Sequence, residues 1–189
     1  MYLCTRWDVM EAWRQAMADA GLIIKTTIVW DKGNHGVGDL TGDYGCRTEL
    51  VLFAHRGRHA LRRGRDVNIM SIKRPPATSD GHPTPKPVEL MERLILNSTD
   101  PGDLVVDPFM GSGTTGVACA RSGRRFAGVE RERDWHALSV KRIEEEYRAT
   151  ESAATITAEA VDGGVRIGET VVSRAEASRL AEDLRRMSR

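Results

Sequence analysis

Residues 105–116, VVDPFMGSGTTG, constrain the fold of this chain more than any other stretch. An apolar strand runs into a glycine turn and then into a helix, and Gly111, Gly113 and Gly116 have the spacing G-x-G-x-x-G. Such a unit forms a crevice at the carboxyl end of its strand, where glycines let a ligand approach the backbone and free amides favour an anion. A tight turn that binds nothing is the alternative. A P-loop is excluded because no lysine follows the glycines.

Apolar periodicity predicts strands and helices that alternate along the first 149 residues. Alternation of this kind indicates an α/β fold with a doubly wound, mostly parallel sheet. We expect strands at 2–6, 22–30, 48–55, 104–107 and 124–130, and helices at 8–20, 87–97, 114–122 and 132–148.

The last part of the chain, residues 150–189, differs from the rest in composition. Asp162-Gly163-Gly164 lies between two strand-like runs and predicts a hairpin. Ser173 and Glu176 have the spacing of a capping box that opens a helix. We therefore expect two domains, residues 1–149 and a small ββα appendage at 150–189.

Positive charge is concentrated in a basic segment, residues 55–76. The whole chain has 189 residues and a formal net charge of +1, so its overall charge indicates no partner. The basic segment alone holds six Arg and one Lys against one Asp. This concentration favours contact with a polyanion, and a solvated loop is the alternative.

Two cofactors fit the glycine loop, residues 107–116, and the acid that follows it. Glu130 ends the next predicted strand, 19 residues after Gly111, where its carboxylate can accept hydrogen bonds from both hydroxyls of a ribose. Both NAD and S-adenosylmethionine carry a ribose. Two features favour S-adenosylmethionine: the turn Asp107-Pro108-Phe109 before the glycines, and the segment HPTPKP at 82–87, which a dinucleotide domain has no reason to carry.

The order HPTPKPVELMERLI, then GDLVVDPFMGSGTTGVAC, resembles the cofactor half of the DNA amino-methyltransferases, which modify adenine N6 or cytosine N4. It is similar to their permuted group, in which the catalytic half comes first. The resemblance covers roughly residues 1–148 and implies a Rossmann-like methyltransferase fold that binds S-adenosylmethionine. The residues that it implies for cofactor binding are Asp107, Phe109, Gly111, Ser112, Gly113, Thr114, Glu130, His82, Thr84 and Lys86.

The same resemblance implies double-stranded DNA as the substrate. In this family target recognition lies between the catalytic motif and the segment that matches HPTPKP, and the basic segment falls in that interval. Phosphate contacts are therefore expected from its cationic side chains: Arg56, Arg58, Arg62, Arg63, Arg65, Lys73 and Arg74.

The family's catalytic motif, Asp/Asn/Ser-Pro-Pro-Tyr/Trp, is absent from these residues, so we assign no catalytic residue. The chain has a single Pro-Pro pair, Pro75-Pro76, flanked by Arg74 and Ala77, which supply neither the acceptor nor the ring. In the family that motif follows a central strand, which is expected upstream of Met1. We thus expect a sheet that lacks one central strand, with the catalytic half lost or supplied by a second chain.

Three alternatives stay open at this point: a methyltransferase, a non-catalytic subunit that holds S-adenosylmethionine or DNA, and a nicotinamide-dependent oxidoreductase. The three cysteines form no C-x-x-C, and no signal peptide or membrane-length apolar run is visible, which favours reduced thiols in a cytoplasmic protein. The histidines show no metal-ligand spacing with a cysteine, so no metal is expected. Trp7, Trp13 and Trp135 are expected to anchor the core or a groove.

Overall fold

The computed structural model describes residues 1–35, 41–42, 44–75, 85–156, 159–161, 164–167 and 170–172. Its internal contacts divide the chain into two compact units, Met1–Ile143 and Glu144–Arg189. The first unit holds both candidate functional regions, the glycine loop and the basic segment.

A four-stranded sheet forms one part of the first unit, in the order β1-β3-β2-β4. The central strand β3 is antiparallel to β1 and β2, and β4 is parallel to β2. β3 reads as a continuous apolar run because it is covered on both faces: Val51, Leu52 and Ala54 have no exposed surface. The strands are β1 (Tyr2–Thr5), β2 (Ile23–Asp31), β3 (Thr48–His55) and β4 (Ile69–Ser71).

A second sheet pairs β5 (Leu104–Asp107) with β6 (Arg125–Gly128) in parallel. Parallel neighbours need a crossover, and α3 (Thr114–Arg121) supplies it. Helix α2 (Val88–Ser98) begins after Pro87, which cannot donate a backbone hydrogen bond and is well tolerated at a helix start. Leu94 and Ile95 lie on the buried face of α2.

β1, β2 and β4 share one direction, and two sets of contacts indicate that β5 and β6 run the same way. At their amino ends, the Tyr2 hydroxyl lies 2.7 Å from Ser98 Oγ, just before β5. At their carboxyl ends, burial raises the pKa of the Cys4 thiol to about 11, and the charges of Lys86, Glu49 and Asp107 also act on that thiol. We call the edge where β1, β2, β4, β5 and β6 end the carboxyl edge, and the opposite edge the amino edge.

Two remaining helices follow the predictions with shifted ends. A 3-10 turn (Trp7–Val9) precedes α1 (Met10–Asp19), and α4 runs over Arg133–Ile156, beyond its expected end at residue 148. Trp7 is 75% exposed and Trp13 40% exposed, so neither anchors the core, and the alternative that they anchor a groove stays a prediction.

The predicted strands recur, and the structure adds two more, β4 and a third strand in the second unit. The sequence does not predict β4, because the basic residues around it hide the short apolar run in which Met70 and Ile72 are buried. Within the described residues, β1 pairs only with β3 and β5 only with β6. In the second unit, β7 (Glu159–Val161), β8 (Gly164–Ile167) and β9 (Thr170–Val172) form an antiparallel sheet. Its third strand is an addition to the prediction, and the helix expected from Ser173 lies outside the described residues.

Candidate functional site: the glycine loop at the carboxyl edge

The glycine loop needs glycine for two physical reasons. Gly111 and Gly113 have φ angles of +51° and +80°, a left-handed region that side chains disfavour. A Cβ at Gly113 would lie 2.9 Å from the Cβ of Ser139 on α4. A Cβ at Gly116 would overlap the side chain of Ile143. The three glycines therefore set both the turn and the close packing of α3 against α4.

Asp107 holds the loop from the end of β5. One carboxylate oxygen accepts the backbone N–H of Phe109 at 3.0 Å, and the other accepts the hydroxyl of Thr115 at 2.6 Å. The first bond closes a turn of the Asx type, and the second fixes the first turn of α3. Asp107 thus shapes the loop that it was expected to line.

Glu130 joins the loop to the end of β6. Its two oxygens accept the backbone N–H groups of Gly111 and Glu132, each at 2.9 Å. The hydrogen bond from the Glu132 amide lowers the pKa of the Glu130 carboxyl below its ordinary value, and the bond from the Gly111 amide has a smaller effect in the same direction. A carboxylate has about four lone-pair sites, so Glu130 can accept a further donor, such as a ribose hydroxyl, beside these backbone groups.

Three further residues of the loop have contrasting environments. Ser112 and Thr114 are buried at the start of α3, where the first turn of a helix presents N–H groups without intrahelical acceptors. Arg142 on α4 donates to the carbonyl of Ser112. Phe109 is 82% exposed, so an aromatic ring stands beside the polar loop at the carboxyl edge.

Lys86 lies at the same edge in a charged cluster. Its Nζ is 2.8 Å from a Glu49 oxygen and 5.7 Å from the centre of the Trp30 ring. Lys32 is 3.6 Å from the other oxygen of Glu49. Trp30 is buried and donates to the carbonyl of Ile72 at 2.7 Å, so it belongs to the core. His82 and Thr84, which were also expected here, lie outside the described residues.

Most of the basic segment lies away from the glycine loop. β3 ends at His55 on the amino edge, and Arg56 donates to the carbonyl of Ala20 there. Arg62 pairs with Asp100 at 2.7 Å, near the start of β5. Arg58 follows Arg56 in the same connection.

An internal ion pair fixes the middle of the basic segment on α2. Asp66 accepts two hydrogen bonds from Arg93 and one from Asn97. These hydrogen bonds hold the pKa of the Asp66 carboxyl well below its usual range, and the bond with Arg93 has the largest effect. Arg63 and Arg65 lie beside this pair in an open depression that Glu89 and Glu92 also line.

Only the end of the basic segment reaches the carboxyl edge. β4 is parallel to β2 and ends at Ser71, so Lys73 and Arg74 follow it at that edge. The backbone N–H of Arg74 reaches the carbonyl of Lys32 at 3.4 Å, and Lys73 packs near Gly33. The structure therefore brings these two expected cations to the side of the molecule that holds the glycine loop.

Sequence reasoning missed two residues of the site. Thr115 adjoins the expected Thr114, and its hydroxyl, not that of Thr114, is the one that binds Asp107. Glu49 stands in an apolar strand and has no motif around it, so only tertiary structure pairs it with Lys86.

Among the described residues there is no group of three acidic, His or Cys side chains able to hold a metal. No described helix is both long and apolar enough to cross a membrane.

Comparison with known proteins gives a consistent result. The model of a DNA methylase family matches residues 60–141. The chain is 33% identical over 147 residues to the Type II methyltransferase M2.DpnII of Streptococcus pneumoniae, covering 69% of this chain and 55% of that protein. It is 31% identical to the Type II methyltransferase M2.LlaDCHI of Lactococcus lactis subsp. cremoris, covering 68% and 54%. The chain thus spans about half the length of these curated relatives.

Solved structures share the fold. The M1.HpyAVI–SAM complex superposes with a TM-score of 0.66 at 31% identity, covering 75% of this chain and 73% of that one. TTHA0409 of Thermus thermophilus, a putative DNA modification methylase solved with S-adenosyl-L-methionine, gives a TM-score of 0.60 at 22% identity, covering 78% and 69%. PvuII cytosine-N4-specific DNA methyltransferase gives 0.59 at 18%, covering 76% and 62%. The expected α/β class and Rossmann-like methyltransferase fold are confirmed.

Proposed function

This chain belongs to the DNA methylase family of adenine-N6 and cytosine-N4 methyltransferases, and we propose that residues 1–149 form the S-adenosylmethionine-binding portion of such an enzyme. The observation that carries the proposal is the Glu130 carboxylate at the end of β6, which accepts the backbone N–H of Gly111 and so lies against the glycine loop, where it can also accept a ribose hydroxyl.

Each group at the carboxyl edge has a role in this proposal. Glu130 binds the two ribose hydroxyls, and the first-turn amides of α3 face the charged part of the ligand. Phe109 shields the adenosine from water. Lys86 attracts the carboxylate of the ligand. For this contact Lys86 leaves its ion pair with Glu49 or binds both carboxylates at once. When bound, S-adenosylmethionine supplies an electrophilic methyl group on a sulfonium.

The substrate in this proposal is an exocyclic amine of adenine or cytosine in DNA. The amine nitrogen takes the methyl group and loses a proton, and S-adenosylhomocysteine leaves. Lys73 and Arg74 contact the DNA phosphates, because they follow β4 at the same edge as the glycine loop. A DNA substrate, together with reduced thiols, fits a cytoplasmic protein.

Polypeptide beyond these residues supplies the acceptor for the amine protons. The sequence holds no Asp/Asn/Ser-Pro-Pro-Tyr/Trp motif. β1 and β5 each pair on one side only among the described strands. These edges favour an added strand that carries the motif, from a second chain or from the same protein.

A methyl-transfer assay on double-stranded DNA tests the proposal. The 189-residue chain is incubated with S-adenosylmethionine labelled in its methyl group, alone and with a separately expressed segment that carries the motif. We expect no transfer by the chain alone and transfer with the added segment. Turnover by the chain alone would contradict the requirement for the missing motif.

A non-catalytic subunit is the second candidate, and the absent motif favours it. In that case the chain binds S-adenosylmethionine or DNA but gives no transfer with any added motif-bearing segment. Binding of labelled S-adenosylmethionine in equilibrium dialysis, together with no transfer in the presence of the added segment, identifies the second candidate; binding together with transfer identifies the first.

A further inference from the structure

The most exposed aromatic side chains all lie at one edge of the first unit. The chain has ten Phe, Trp and Tyr residues. Tyr44, Phe109 and Trp7 are 96%, 82% and 75% exposed, and no other aromatic exceeds 40%. Single exposed apolar residues scattered over a protein surface are normal. These three aromatic residues are not scattered, because all of them lie at one edge.

Their positions follow from the strand directions. Trp7 comes two residues after the end of β1, and Phe109 comes two residues after the end of β5. Tyr44 lies in the connection between the end of β2 and the start of β3, which run antiparallel. All three residues are thus in connections at the carboxyl edge, the edge that Lys73 and Arg74 also reach.

Aromatic rings beside cations bind unstacked nucleobases. Every base offers a π-face, so such stacking is tolerant of sequence, and the phosphates between the bases are attracted by the cations. Phe109 already has a role next to the cofactor, which leaves Trp7 and Tyr44 without an assigned role. We propose that Trp7 and Tyr44 are stacking platforms for unpaired bases of the DNA strand that is brought to the glycine loop. This inference rests on the proposed function and adds positioning residues to it.

The inference predicts a particular dependence on DNA form. An exposed ring gains stacking only from bases that are out of the duplex, whereas a cation binds phosphates in either form. Loss of Trp7 or Tyr44 therefore weakens binding to single strands more than to duplexes. Loss of Lys73 weakens both to a similar degree.

Fluorescence anisotropy with two labelled probes tests this. The first is a short oligothymidylate, which has no exocyclic amine and so excludes the target reaction; the second is a duplex of equal length. For the full chain we expect Trp7→Ala and Tyr44→Ala each to lower the single-strand affinity about 5-fold to 100-fold, the range for one lost base–aromatic stack. Trp7→Phe keeps a ring and should retain most of the affinity.

Trp13→Ala is the matched control, because Trp13 is partly exposed on α1 and is not in a connection at the carboxyl edge. Folding of each variant is checked by circular dichroism and by S-adenosylmethionine binding. Unchanged single-strand affinity in Trp7→Ala, or equal losses on both probes, would overturn the inference. Self-association that Trp7→Ala abolishes, with no effect on DNA, would also overturn it and assign the edge to a second copy. None of these three results bears on the proposed cofactor binding, since that is measured separately.

Discussion

The glycine loop, residues 107–116, and the basic segment, residues 55–76, differ in how their polar groups are held. In the loop, Asp107 and Glu130 bind backbone and hydroxyl groups that belong to the same strand–helix–strand unit. In the basic segment, Arg62 and Asp66 bind partners on α2 and beyond, more than 25 residues away. The loop therefore has its shape from local chemistry, whereas the basic segment is divided between two edges by the tertiary fold.

This difference teaches where a functional interpretation is safe. A motif that sets its own backbone geometry brings its ligand groups with it. A run of like charges does not determine where its side chains lie, because some of them form ion pairs with distant carboxylates. Substitutions in both regions test this contrast, from the largest expected effect to the smallest.

The largest contrast is between two glycines with nearly equal φ angles, Gly113 at +80° and Gly64 at +77°. A Cβ at Gly113 meets Ser139, whereas a Cβ at Gly64 meets nothing within 4 Å. We expect Gly113→Ala to lower the free energy of unfolding by about 2 to 4 kcal/mol, from the left-handed conformation plus overpacking. Gly64→Ala should cost about 1 kcal/mol, from the conformation alone. Urea unfolding measures both, and equal losses would contradict the packing role of Gly113.

The second contrast concerns Glu130 and its neighbour Glu132. Glu130→Gln keeps the size of the side chain but removes the charge that binds Gly111 and Glu132. We expect it to weaken S-adenosylmethionine binding about 10-fold to 100-fold, the range for a lost charged hydrogen bond. Glu132→Gln, which loses only an exposed ion pair with Arg131, should leave the affinity unchanged. Calorimetric titration checks both, and a normal affinity in Glu130→Gln would remove its ribose role.

The third prediction concerns the ion pair of Asp66 with Arg93 in the basic segment. We expect Asp66→Asn to lower the free energy of unfolding by about 1 kcal/mol near neutral pH, allowing for partial exposure. The folded-state pKa of Asp66 is depressed, so its contribution is full above the ordinary Asp pKa of about 4 and declines as the pH falls through the folded value. Urea unfolding across acidic pH tests this sign. A difference between wild type and Asp66→Asn that grows on acidification would contradict it. S-adenosylmethionine affinity should not change.

The smallest effects divide the basic segment itself. Lys73→Ala should weaken binding to duplex DNA a few-fold and reduce the slope of log affinity against log salt by about 0.9, as for one lost phosphate contact. Arg63→Ala should change neither, because Arg63 lies against α2 beside Glu89. Salt titrations of DNA binding measure both. A larger loss of DNA affinity for Arg63→Ala than for Lys73→Ala would show that the middle of the basic segment contacts the DNA.

Local features of the fold were predictable from the sequence. The sequence predicts the glycine turn together with its flanking strand and helix, because a few neighbouring residues determine the backbone conformation there. It also predicts Glu130, which ends the next predicted strand. Pro87 likewise placed the start of α2 within one residue. In contrast, β4 was missed, because Ile69–Ser71 is too short for a period-two pattern and is stabilised by pairing with β2.

Pairings between distant residues were not predictable. No pattern near Lys86 indicates that Glu49 and Trp30 meet it, because they lie more than 35 residues earlier in the chain. The position of Arg62 at the amino edge depends on the direction of β3, which only the sheet order establishes. Trp7 was expected to anchor the core or a groove because large aromatic residues are usually buried, and only the fold shows that its ring is exposed.

The central claim is that the glycine loop with Glu130 binds S-adenosylmethionine. The most direct measurement is calorimetric titration of the 189-residue chain with S-adenosylmethionine and, separately, with NAD. The account predicts saturable binding of S-adenosylmethionine, weakened in Glu130→Gln, and no binding of NAD. Binding of NAD without binding of S-adenosylmethionine would contradict it.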